Sequence, residues 1–314
     1  MIGILASIIS VQAQQDYGIP QWVKNNAGWW ADDSIDDESF VNGIKYLIEL
    51  GIMEINIDST IQDQGDFYLT YKPNPNSPYA EEDSAMMFLK DSKLLEQEIN
   101  FLNENFRLPY DVEVLAQECG EANAWYDHEI KQIVICYELI DMDYNNYVYY
   151  HNEDPDFAYE TVYFYIHDNL DWTFFHEVGH ALIDVYQLPI TGLEENVADQ
   201  FASLMLSYTY DESTGDYSIG QDMLYNVGTW FWISNELYSV NSDDYPFWDT
   251  HNLDIQRFYN ISCYAYGSDP QYNQDLVDEG WLPEDRAYWC DQEYLAMERA
   301  WSFLLKDFDN GFFD

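Results

Sequence analysis

Two apolar helical stretches, residues 158–187 and 193–209, carry ionisable side chains in a pattern that leaves few ways to fold them. In the first, Thr173-Phe-Phe-His176-Glu177-Val-Gly-His180-Ala-Leu182 sets two imidazoles four residues apart, a spacing that places them on one helix face. Phe174, Phe175, Leu182 and Ile183 imply that this helix is buried. Two histidines and a glutamate are costly there without a partner. The second stretch begins Leu193-Glu194-Glu195-Asn-Val-Ala-Asp199, with Glu195 and Asp199 again four apart. Leu188-Pro189 ends the first helix and Thr191-Gly192 supplies a turn. Fourteen residues lie between His180 and Glu195, enough for the chain to reverse and lay one helix on the other. His176, His180 and Glu195 then form a three-ligand set for one zinc ion, with the fourth tetrahedral position left for water. Glu177, one step round the helix, stands beside such an ion, where its carboxylate can take a proton from that water. Asp199 is read as the carboxylate that orients a ligand histidine.

Elsewhere the pattern predicts an α+β fold, mostly helical, with a small sheet. Val112-Glu-Val-Leu115 and Gln132-Ile-Val-Ile135 read as short strands, and Phe67-Tyr-Leu-Thr-Tyr71 as a third. Further helices are expected over 85–106, 219–239, 252–266 and 284–307. Residues 16–57 read as a small helical module in which Pro20 suits a first helical position, with Trp22, Trp29 and Trp30 following. Asp36 or Asp37 caps its second helix, Phe40, Ile44, Leu47 and Ile48 fall at helical spacing, and Gly51 marks the stop. Residues 58–80 form a turn-rich linker that includes Lys72-Pro-Asn-Pro-Asn-Ser-Pro78, and the main domain is expected over 66–314. Residues 1–13 end in Val11-Gln12-Ala13, which fits a signal-peptidase site, although the first basic residue is Lys24.

Charge and cysteines bear on location. With 11 Lys+Arg against 59 Asp+Glu the formal net charge is −48, which argues against a nucleic-acid partner. No apolar run reaches the roughly 18 residues of a membrane span. Four cysteines, Cys119, Cys136, Cys263 and Cys290, lack C-x-x-C spacing, so two disulfides are expected rather than a cysteine metal site. Of three connectivities, the local pairing Cys119–Cys136 and Cys263–Cys290 is the expected one. The reading is an exported protein, secreted or at the cell surface.

The His176-Glu177-Val-Gly-His180 helix followed by Glu195-Asn-Val-Ala-Asp199 resembles the gluzincin metallopeptidases, whose site logic is thermolysin-like. More closely, residues 66–307 resemble a family of zinc metallopeptidases. The likeness includes Glu118-Cys-Gly-Glu-Ala-Asn-Ala124, Ile135-Cys-Tyr-Glu-Leu139, Gln256-Arg-Phe-Tyr-Asn260, Tyr266-Gly-Ser-Asp-Pro270 and Leu282-Pro-Glu-Asp-Arg286. The N-terminal module resembles one recurring in archaeal secreted proteins. The resemblance implies one zinc ion held by His176, His180 and Glu195, Glu177 as base, and a peptide or protein substrate. Such chemistry also needs a donor for the oxyanion of the tetrahedral state. His251 is the candidate; Arg257 is a second, or else pairs with a buried carboxylate. The alternative is a non-enzymatic extracellular binding protein that keeps the fold and a structural zinc.

Overall fold

The computed structural model describes residues 63–73, 84–152, 158–210, 214–238 and 245–313, with scattered positions between 29 and 46. By backbone contacts the chain divides into two compact units, Met1–Ser59 and Thr60–Asp314. In the first, the Asp36 Oδ1 accepts the Ser39 amide at 2.7 Å, the geometry of a helix N-cap, and Trp30 stacks on Phe40 at 4.6 Å. The segment 1–13, Pro20, Trp22, Asp37, Ile44, Leu47, Ile48, Gly51 and most of the Pro-rich linker lie outside the described residues.

The second unit is mostly helical with one four-stranded sheet, the α+β class expected. Its strands are β1 (Phe67–Lys72), β2 (Val112–Gln117), β3 (Ala124–Asp127) and β4 (Gln132–Cys136), in the order β1-β2-β4-β3. β1, β2 and β4 are parallel, with Phe67 opposite Val112 and Glu113 opposite Gln132, and β3 is an antiparallel edge. Val112, Val114, Leu115 and Ala116 of β2 and Ile133 to Cys136 of β4 are buried. Such near-continuous apolar runs belong to parallel strands covered on both faces.

The helices are α1 (Ser84–Ser92), α2 (Leu94–Asn105), α3 (Tyr137–Tyr150), α4 (Tyr159–Val185), α5 (Glu194–Ser207), α6 (Ser218–Tyr238), α7 (Asp254–Ser268), α8 (Gln274–Asp278), α9 (Glu284–Ala287) and α10 (Cys290–Leu305). The expected single helix over 85–106 is two, broken at Lys93, whose φ of 57° no helix continues through. The one over 284–307 likewise breaks at Tyr288–Trp289. α4, about 40 Å long, is buried around nearly its whole circumference from Tyr165 onward and packs against α5, α6 and the sheet. It ends where Gln187 turns left-handed at φ 52° and the Leu188 amide donates back to the Ile183 carbonyl at 2.9 Å. Pro189 then forbids continuation. Disulfides join Cys119 to Cys136 and Cys263 to Cys290. The first ties the exit of β2 to the end of β4, and the second ties α7 to the start of α10.

Candidate metal centre

The turn at Gln187 lets α5 return along α4, and Gly179 brings the two close. A Cβ placed there would sit 3.1 Å from the Ala198 Cα and 3.3 Å from its Cβ. Across this seam the His176 Nε2 and His180 Nε2 are 3.2 Å apart, and the Glu195 Oε2 lies 3.2 Å from the first and 3.3 Å from the second. All three residues are largely buried. Among the described residues these three form a group whose ligand atoms are all mutually within 4.8 Å. Only one other group meets that criterion, Cys119, Cys136 and Glu138, and it is occupied otherwise. Its sulfurs are bonded together and the Glu138 carboxylate accepts the amides of Cys119 and Gly120.

Three potential donor atoms at the corners of a nearly equilateral triangle are a test of fit. A tetrahedral zinc with ligands at about 2.0–2.1 Å has ligand–ligand edges of about 3.3 Å. The residues present fit that ion. Their other ring nitrogens are held from outside. The His176 Nδ1 lies 2.8 Å from the Asp199 Oδ1, and the His180 Nδ1 lies 2.8 Å from the Glu194 Oε1. Carboxylates on the second nitrogen fix the tautomer and leave Nε2 free to bind metal. The ring of Trp172 stacks on His176 with centroids 5.4 Å apart.

Arg257 settles between the two roles open to it. Its Nε donates to the Asp199 Oδ2 at 3.0 Å and its terminal nitrogen to Oδ1, while the guanidinium packs on the faces of Phe231 and Trp172. It pairs with a buried carboxylate. His251 does reach the centre: its Nε2 is 2.9 Å from the Glu195 Oε2, and its Nδ1 is 3.3 Å from the Asp249 Oδ1. It touches Glu195 yet falls outside the mutually close set. Glu177 is buried, and the backbone amide of Tyr126 on the edge strand β3 faces its carboxylate.

The electrostatics follow from this crowding. Burial raises the pKa of Glu177, and the neighbouring imidazoles only partly offset it. Burial opposes protonation of His180, but the facing carboxylates of Glu195 and Glu194 carry its pKa up to about 9. Glu195 is held far below the usual carboxylate range, its own burial outweighed by three imidazole neighbours. The facing carboxylates thus favour protonated imidazoles, and a cation bound there would compete with those protons.

The sequence reading missed Glu194 and Trp172. Glu194 had a signal, since a metal-binding histidine almost always has a partner for its second nitrogen and Glu194 directly precedes Glu195. Trp172 had none. Of the remaining histidines, His128 lies 4.0 Å from Asp184, His167 lies 3.3 Å from Asp168, and His151 packs on the rings of Tyr147 and Tyr150.

Residues 74–305 match the model of a family described as "Putative metallopeptidase". No curated protein and no solved structure matches the chain.

Proposed function

The chain belongs to this metallopeptidase family, and from that premise we propose that it is an exported zinc peptidase whose ligands are His176, His180 and Glu195. The observation that carries the reading is the triangle of donor atoms, 3.2, 3.2 and 3.3 Å on its edges. When bound there, zinc acts as a Lewis acid, polarising a carbonyl and making water acidic enough to lose a proton near neutral pH. Glu177 accepts that proton at its carboxylate and returns it to the departing amide nitrogen. A buried carboxylate with a raised pKa suits both halves of the task, because it holds the proton between the two transfers. His251 donates from Nε2 to the oxyanion of the tetrahedral state, with Asp249 fixing its other nitrogen. A cavity of about 520 Å³, lined by Tyr238, Tyr245, Asp254, Arg257 and His251, adjoins these groups and gives a substrate side chain room.

A structural zinc site closes its fourth position with a protein ligand, whereas a catalytic one leaves it open. The three-membered ligand set, with Glu177 buried beside it, supports the enzyme over the binding protein. The two disulfides support an oxidising location outside the cytosol.

The test is Glu177→Gln in the full chain. It should keep about one zinc per chain by elemental analysis while hydrolysis of a fluorogenic peptide library falls by about 10²–10⁴-fold. Loss of zinc from that variant, or undiminished hydrolysis, overturns the assignment.

A further inference from the structure

A second hollow, of about 250 Å³, shares no lining residue with the cavity beside His251. It lies between α6 and α7, and Tyr150, Tyr225, Trp232, Phe258 and Trp281 line it together with His151 and with aliphatic and hydroxyl side chains. The Trp232 ring meets Phe258 at 5.3 Å and 60°, and meets Trp281 at 5.3 Å and 83°. Trp232 thus stands steeply to both neighbours, and the three rings form sides of a box.

Several polar groups of that box bond within the protein. The Trp232 Nε1 donates to the Tyr150 hydroxyl at 3.3 Å, and the Thr229 hydroxyl donates to the Tyr225 carbonyl at 2.9 Å. The Trp281 Nε1 donates to the Glu279 Oε2 at 3.1 Å, which brings a carboxylate to the edge of the box. Burial, and then the charge of Glu279, raise the pKa of the Tyr225 hydroxyl, so Glu279 is felt at a second wall as well. Asp222, Asp275 and Glu279 line an adjoining hollow that shares Tyr225, Leu276 and Trp281 with the first.

We propose that this aromatic box binds a small organic cation of the quaternary ammonium type, with Glu279, Asp222 and Asp275 drawing it in. The face of an aromatic ring is the negative end of its quadrupole and attracts a cation placed over it. A quaternary ammonium carries no N–H, so it asks the walls for no acceptor and loses no hydrogen bond on entering. A primary ammonium is more strongly hydrated and would surrender more water on entering against the ring faces. The volume is below the range for drug-sized ligands, and it suits a trimethylammonium head with a short tail. The site is separate from the peptidase reading and stands or falls without it.

The experiment titrates the full chain with choline and with its uncharged isostere, 3,3-dimethylbutan-1-ol, following tryptophan fluorescence and calorimetry. Choline should bind saturably, about tenfold or more tighter than the alcohol, since the charge is what the ring faces recognise. Trp281→Leu should abolish that preference. Glu279→Gln, an exposed substitution that spares the fold, should weaken choline binding severalfold and flatten its salt dependence. Equal binding of choline and the alcohol would show a plain apolar hole. Absence of saturable choline binding, or full affinity and salt dependence in Glu279→Gln, likewise overturns the proposal.

Discussion

The guanidinium of Arg257 is held from several sides: Asp199 takes two of its N–H groups, and its carbon lies 4.3 Å from the centre of Phe231 and 5.1 Å from that of Trp172. Asp199 in turn faces His176, so the orientation of a proposed ligand is transmitted through a buried ion pair. Burial raises the Asp199 pKa, while Arg257 and His176 more than reverse that and keep it ionised. Removing the cation strands that charge, which typically costs about 3–5 kcal/mol. Arg257→Met is therefore expected to lower the melting temperature of the metal-free protein, and to weaken zinc binding by about 10–100-fold in a chelator competition. Adding Asp199→Asn to that variant should recover part of the stability but none of the metal affinity. A double variant no more stable than Arg257→Met would mean that the pair is not coupled. These links show where sequence reading stops. His176, His180, Glu195 and Asp199 announce themselves by spacing within single helices. Arg257 and His251 lie far along the chain, and only tertiary packing decides which carboxylate each one meets.

The helices behave the same way. α4 and α5 were legible because long apolar runs with a Pro-Gly break between them admit one reading. α3 was not, since Tyr137–Tyr150 is rich in Asp, Asn and Tyr, weak helix formers that favour competing backbone bonds. The edge strand β3 is only four residues long and went unread for lack of length. Lys93 shows a further limit, because nothing in a lysine forecasts a left-handed backbone. The α4–α5 seam carries the sharpest expectation. With the Gly179 Cβ position already 3.1 Å from the Ala198 backbone, Gly179→Val must push the helices apart. It should cost about 1–3 kcal/mol by denaturant unfolding, and it should weaken zinc binding by parting the histidines from Glu195. Unchanged zinc affinity in a destabilised Gly179→Val would show that the ligands do not depend on that spacing.

Across the whole molecule, 59 acidic groups face 11 lysines and arginines. The Lys and Arg ion pairs among the described residues are Lys131–Asp184, Arg257–Asp199 and Arg286–Glu293. Among the described residues few carboxylates therefore have a Lys or Arg partner. The folded chain crowds these charges more than the unfolded one does, so screening should favour it. The Debye length shrinks from about 30 Å at 0.01 M salt to about 3 Å at 1 M. Melting temperature should rise across that range in sodium chloride with zinc kept saturating. A flat or falling curve would show that the acids are paired or already hold cations.

The topology also sets an order in time. Bringing two chain segments together costs more entropy the more residues lie between them, and contacts close in sequence tend to form first. The three proposed ligand atoms come from a single hairpin, α4 and α5 joined by the short turn at Gln187. The parallel sheet must instead pair Phe67 with Val112, and Arg257 reaches Asp199 only after α6 has been traversed. On that schedule the segment carrying the proposed ligands is assembled before β1 joins the sheet and before Arg257 meets Asp199.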